Sequence, residues 1–239
     1  INFPKDSNVD IKSLLQNSSN ISIFGLAHSF AVAEYLVTNR LTNNALITSG
    51  GYLNANKTNF DSFDPDMTTR SKIETDNAIS NDSHYTGVYP SVYLYSVYYR
   101  SVASCINEMI EVLKATPNGK GNLFDNTTML QFTEFNRSAK FDGTGSDHGY
   151  GACSATVISG KLDQFSIIGN IQSNSGGNYK GTWGSAAKTE ATGNRVMNIG
   201  NVASTIAALC DMKSPTPNDT PLVKKVGAKF KPLTKDRPK

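Results

Sequence analysis

The sequence predicts an α/β fold with a mostly parallel central sheet flanked by helices. Three segments carry apolar residues at helical spacing, and short continuous apolar runs bounded by glycine or asparagine lie between them. Helices that alternate with such runs are typical of α/β layer proteins. The helical segments are residues 26–41, 90–114 and 202–212, and the apolar runs are residues 45–48, 127–133 and 155–159.

Each helical segment has its own start or stop signals. The first ends before the Asn43-Asn44 pair. The second begins at Pro90, a residue suited to a first helical turn, and repeats apolar residues through Leu113. The third is followed by prolines at positions 215 and 217, which cannot continue a helix.

Charge is distributed unevenly along the 239 residues, whose net charge is +3. Residues 223–239 hold seven of the 23 basic residues and one of the 20 acids, so they are predicted to be a basic C-terminal tail. Such a tail either contacts phosphates or an acidic partner, or is solvated on its own domain. The main body is not basic, and we expect no nucleic-acid partner. No apolar run is long enough to span a bilayer, and the three cysteines form no C-x-x-C motif.

Candidate site residues concentrate between Phe132 and Gly151. Glu134 and Arg137 are followed by glycine-rich sequence, and the adjacent pair Asp147-His148 comes after it. Carboxylate and imidazole groups are metal ligands, and a position just beyond a strand suits a binding site. Two plainer interpretations stay open: Asp-His-Gly as a capped turn, and Glu134 with Arg137 as a structural salt bridge.

This stretch resembles a bacterial family of exported proteins, domain-of-unknown-function family 1501, whose motif reads S-E-F-G-R-T, a glycine-rich gap, then T-D-H-G. The chain departs from it at Asn136 and Ser146. Residues 81–84 are similar to the family's W-D-T-H, and Val202–Met212 is similar to its late helix V-A-x-T-x-x-x-L-L-G-L-P.

The resemblance implies an alkaline-phosphatase-like sandwich over residues 1–222, either whole or lacking its N-terminal part. It further implies a metal-dependent hydrolase of phosphate or sulfate esters, periplasmic or secreted, that acts on a small anionic ester. Two divalent metals, zinc, manganese or calcium, would activate a nucleophile and clamp the transferred group. The implied metal ligands are Asp147, His148, Asp82 and His84, with Glu134 as a ligand or supporting residue and Arg137 as an anion-binding residue.

The histidine inventory favours a second interpretation. The chain has only three histidines and none after His148, whereas the superfamily's sites generally use a later one. No nucleophile can be singled out among the serines and threonines. The alternative is therefore a catalytically inactive relative that serves as a secreted or cell-surface structural or assembly protein and binds a cell-surface component. The tyrosine-rich residues 89–99 would supply an oligomer surface, or simply pack on the fold.

Overall fold

The computed structural model describes residues 24–48, 54–56, 78–80, 88–132, 137–139, 146–148, 153–172 and 185–233. The chain divides into two compact units. The first holds Ile1–Val112 and Ala139–Asp147, and the second holds Leu113–Ser138 and His148–Lys239.

The described residues contain three α-helices: α1, Phe24–Thr38; α2, Val88–Ala115; and α3, Ile199–Leu209. All three helix predictions are confirmed, with ends displaced by one to three residues. None of the described helices is long and apolar enough to cross a membrane.

Helix α2 has the amphipathic pattern that the sequence predicted. Pro90 lies in its first turn, where a missing backbone N–H costs no hydrogen bond. Tyr98, Val102, Met109 and Leu113 are buried, and their spacing places them on one face. Helical periodicity therefore identified the buried side of this helix correctly.

The prediction of an alkaline-phosphatase-like sandwich with a mostly parallel sheet is wrong. In the part of the chain that the structure describes, every sheet has two strands, and all the pairs with an assigned register are antiparallel. The pairs are β1 (Asn54–Asn56) with β2 (Ala78–Ser80), β3 (Pro117–Asn118) with β4 (Gly121–Asn122), β5 (Thr128–Phe132) with β8 (Ala155–Ser159), β6 (Arg137–Ala139) with β7 (Ser146–His148), β9 (Ile171–Gln172) with β10 (Ser185–Ala186), β11 (Lys188–Thr189) with β12 (Arg195–Val196), and β13 (Val223–Val226) with β14 (Lys229–Pro232).

Two of the apolar runs show why the fold prediction failed. The run 127–133 contains strand β5, Thr128–Phe132, and residues 155–159 form β8, but the two strands pair with each other in antiparallel register, Thr128 opposite Ser159 and Phe132 opposite Ala155. An apolar run is compatible with parallel and antiparallel pairing alike, because the choice depends on the partner. The run at 45–48 forms no strand, and Leu46 is 90% exposed.

The core of the second unit lies where α3 meets the C-terminal hairpin. Leu209, Val223 and Phe230 are buried together, and Val157 of β8 and Leu162 pack against them. The hairpin β13–β14 occupies the first part of the interval that its charge marked as a tail. Its apolar residues hold it to the core while its lysines face solvent.

Polar groups at both ends of α3 fix its length. The Asn198 side chain accepts a hydrogen bond from the Asn201 N–H, and the Asn201 side chain accepts one from the Asn198 N–H, which is a capping box. At the other end the Met212 N–H donates to Ala207 O and the Asp211 N–H to Ala208 O, the two bonds of a Schellman motif. Asp211 takes the left-handed position of this motif, with φ 54°.

The buried polar face of α3 holds the loop that follows it. The Thr205 hydroxyl donates to Asn201 O at 2.7 Å and accepts from the Leu222 N–H at 2.8 Å. The Asn201 side-chain amide donates to Thr220 O at 2.9 Å. Hydrogen bonds of this kind satisfy backbone groups of the loop that would otherwise be buried without partners.

Candidate functional site

The predicted site residues of the central motif lie on two short paired strands. Strand β6 begins with Arg137, and strand β7 ends with Asp147 and His148. The two strands are hydrogen-bonded neighbours in one sheet. The backbone therefore sets the segment that carries the predicted anion-binding residue beside the segment that carries the predicted metal ligands.

A second pair of strands brackets this motif. Strand β5 ends at Phe132, strand β8 begins at Ala155, and these two residues face each other across the ladder. The ends of residues 133–154 are thereby held at neighbouring positions of one sheet. The sequence between them is rich in glycine, which is typical of loops, and yet part of it forms the β6–β7 pair.

The remaining predicted site residues fall elsewhere. Glu134 lies between β5 and β6, and Asp82 and His84 follow β2; all three are outside the described residues. Within the described residues there is no group of three or more His, Cys, Asp or Glu side chains that could hold a metal ion. The assignment of metal ligands stays a prediction.

A small polar cavity that the sequence did not indicate lies at the N-terminal end of α3. Its volume is about 40 Å³, which is room for about one water molecule. The polar side chains around it already have hydrogen-bond partners: the Asn198 amide donates to Asp219 Oδ1 at 3.1 Å, and Arg195 Nε donates to the backbone carbonyl of Thr192 at 3.3 Å. The only sequence pattern that marks this end of α3 is the Asn-x-x-Asn spacing of the capping-box residues Asn198 and Asn201.

The carboxylate of Asp211, at the C-terminal end of α3, binds two lysines near the hairpin β13–β14. Asp211 accepts hydrogen bonds from Lys161 Nζ at 2.7 Å and Lys225 Nζ at 3.3 Å. The hydrogen bond from Lys161, followed by that from Lys225, holds the pKa of Asp211 below its ordinary value. Lys229 and Lys231 lie 3.7 and 3.8 Å from Asp125 and Asp163. Three of the seven basic residues of the predicted tail, Lys225, Lys229 and Lys231, thus lie beside acids of the same unit.

The tyrosine-rich segment forms an aromatic cluster on α2. Tyr95 and Tyr99 stack with ring centroids 6.0 Å apart, and Tyr98 meets Tyr99 edge-on at 5.3 Å. Tyr98 is buried and Tyr99 is 44% exposed. Burial, with smaller contributions from Tyr95 and Tyr98, raises the pKa of Tyr99. Packing accounts for Tyr98, while Tyr99 keeps a surface available to a partner.

The three cysteines are free thiols. Cys153 and Cys210 are exposed, while Cys105 on α2 is half-buried, and this burial raises the pKa of its thiol. A raised pKa lowers the thiolate fraction at neutral pH, so Cys105 has the character of a packing residue.

Comparisons of the chain with protein-family models, with curated proteins and with solved structures find no match.

Proposed function

We propose that the chain is an exported, metal-dependent hydrolase of phosphate or sulfate esters, with its metal site in the motif between Glu134 and His148. The observation that carries the proposal is the pairing of β6 with β7, which aligns the strand of Arg137 with the strand of Asp147 and His148. The resemblance of the motif to the family 1501 pattern supports the same assignment. The sandwich that this resemblance implied forms no part of the proposal.

The chemistry of these residue types fits ester hydrolysis. A carboxylate and a neutral imidazole bind divalent zinc or manganese, and carboxylates also suit calcium. A bound divalent metal stabilises the charge that develops on the transferred phosphoryl or sulfuryl group. A guanidinium binds two oxygens of such a group at once, which a lysine cannot do. Asp82, His84 and Glu134 are the proposed additional ligands or supporting residues.

Metal content and hydrolysis of aryl phosphate and aryl sulfate esters test the proposal. We expect a stoichiometric divalent metal, and we expect Asp147→Asn and His148→Ala to lower its affinity by at least about 100-fold, since even a residue that only supports a ligand costs 10–100-fold. Arg137→Lys should keep the metal and raise KM. Asp163→Asn is the matched control, because it removes an acid of the second unit that the proposal does not use.

A second candidate is a non-catalytic assembly protein of the cell surface. The specific observation in its favour is the exposure of large apolar side chains in one extended segment, with Phe165 at 80% and Ile167 at 61%. Exposed apolar surface of this kind marks contact sites when it is contiguous. A protein that purifies without metal, hydrolyses neither ester and forms defined oligomers would favour this candidate and contradict the hydrolase.

A further inference from the structure

Among the described residues, strand β5 pairs with β8 along one edge and has no partner strand along the other, which we call the open edge. The Gly160 N–H donates to Thr127 O at 3.3 Å, and these residues directly continue the register in which Thr128 faces Ser159. Positions 127 and 160 are therefore a hydrogen-bonded site of the antiparallel ladder, of which this single bond forms, because the Thr127 N–H donates to Phe124 O at 3.0 Å. Such pairs alternate with non-hydrogen-bonded pairs along a ladder.

The alternation determines which backbone groups of β5 point away from β8. Met129 and Gln131 direct their N–H and C=O groups toward β8, whereas Thr128, Leu130 and Phe132 direct theirs outward. The side chains agree, because Thr128 Oγ1 and Ser159 Oγ approach to 2.9 Å, as expected for a closely spaced non-hydrogen-bonded pair. In the part of the chain that the structure describes, β8 is the only strand that pairs with β5.

The open edge lacks the features that normally prevent strands from pairing. The sequence T-M-L-Q-F has no charge, no proline and no glycine. Natural edge strands are usually protected by lysines, prolines or bulges. Two side chains on one face of β5, Leu130 at 45% and Phe132 at 50%, are also exposed to a degree unusual for such large apolar groups.

We propose that this edge pairs with the same edge of a second copy of the chain. The outward-facing residues Thr128, Leu130 and Phe132 are symmetric about Leu130. An antiparallel arrangement with a two-fold axis at Leu130 therefore sets Leu130 opposite its own copy and Thr128 opposite Phe132, with all outward groups paired. The pairing forms about six backbone hydrogen bonds and turns two marginal two-stranded sheets into one of four strands.

The size of the contact sets the expected strength. Five residues of strand span about 17 Å, and even with Leu130 and Phe132 such an interface stays below the roughly 1,200 Å² of a standard stable complex. We therefore expect a weak, reversible dimer with a dissociation constant in about the micromolar range. The dimer does not depend on the proposed hydrolase function, and either can hold without the other.

Sedimentation velocity over about a hundredfold range of concentration around that constant tests the dimer. The wild-type chain should shift from monomer to dimer. Leu130→Lys should remain monomeric, because it places two ammonium groups opposite each other across the axis. Leu46→Lys adds the same charge at another exposed apolar position, which belongs to neither proposed contact surface, and should dimerise as the wild type does. A wild-type monomer throughout, or a dimer unaffected by Leu130→Lys, overturns the proposal.

A cross-linking variant decides the question if Leu130→Lys disturbs folding. Hydrogen-bonded antiparallel pairs hold their Cα atoms about 5.5 Å apart, within the range that a disulfide spans. In a chain with Cys153→Ser and Cys210→Ser, Leu130→Cys should give a covalent dimer on mild oxidation with diamide, whereas Leu46→Cys should not. A Leu130→Cys chain that cross-links no faster than the Leu46→Cys chain overturns the proposed axis.

Discussion

The hydroxyl of Thr205 offers the sharpest test of how the second unit is held together. Thr205 is 4% exposed, and its hydroxyl oxygen accepts a hydrogen bond from the Leu222 N–H. Leu222 directly precedes strand β13 of the hairpin and is 8% exposed. Replacing Thr205 by valine keeps the shape of the side chain and removes this acceptor. The Leu222 N–H then lies buried without a partner.

The expected cost follows from the penalty for a buried unsatisfied group, about 1–3 kcal/mol. The donated bond to Asn201 O adds little, since a carbonyl retains its helical partner. For a chain of this size, each kcal/mol lowers Tm by about 2–4 °C, so Thr205→Val should lower it by about 2–12 °C. Thr205→Ser retains the hydroxyl and loses only a methyl group, worth about 0.8 kcal/mol.

Urea unfolding measures the free energy, and hydrogen exchange at the Leu222 amide locates the effect. We expect Thr205→Val to accelerate exchange at Leu222 and Thr205→Ser to leave it close to the wild type. A valine variant with wild-type stability and unchanged protection of the Leu222 amide would refute the assigned role of the hydroxyl. So would a serine variant that is the less stable of the two.

Two other substitutions probe neighbouring features. Asp211→Asn should destabilise the chain at neutral pH, because the hydrogen bond from Lys161 lowers the pKa of the Asp211 carboxylate in the folded state. The difference in stability between the variant and the wild type should fade as the pH falls through the folded pKa, which lies below the ordinary 3.8, and it should shrink in high salt. Acid and salt titrations of the two proteins side by side measure both effects. Gly160→Ala should cost about 1–3 kcal/mol in urea unfolding, since its Cβ would collide with the Phe124 carbonyl group, whereas Gly121→Ala meets only the movable end of an aspartate side chain and should cost less. Equal costs for the two glycines would contradict the close packing at Gly160.

Local patterns predicted the elements whose causes are local. The apolar spacing and Pro90 locate helix α2, and the short apolar run ended by Gly160 locates β8 to the residue. The pairing of β8 with β5 was not predictable, because it depends on contacts between distant residues. The hairpin β13–β14 was missed for another reason: four lysines dominated its composition and obscured the apolar anchors Val223 and Phe230.

The candidate site shows the same difference between local and distant causes. The choice of Glu134, Arg137, Asp147 and His148 as candidate site residues was predictable from the motif, because it depends only on residue type and spacing. The β6–β7 pairing was not, because glycine-rich sequence usually indicates a loop and carries no periodicity from which to predict a strand. The capping box at Asn198 had a local signal in the Asn-x-x-Asn spacing, and it would have set the start of α3 correctly.

The pairing of the distant strands β5 and β8 affects the stability of the motif that lies between them. The β5–β8 ladder joins Phe132 to Ala155 and so closes residues 133–154 into a loop, within which β6 pairs with β7. Closing such a loop costs entropy, and the ladder offsets that cost before any ligand arrives. A metal bound at Asp147 and His148 would in turn favour the folded loop, by about 2.7 kcal/mol at a hundred times its dissociation constant. If a metal binds there as proposed, the ladder and the metal site would stabilise each other, and substitutions that weaken the ladder should weaken metal binding without touching a ligand.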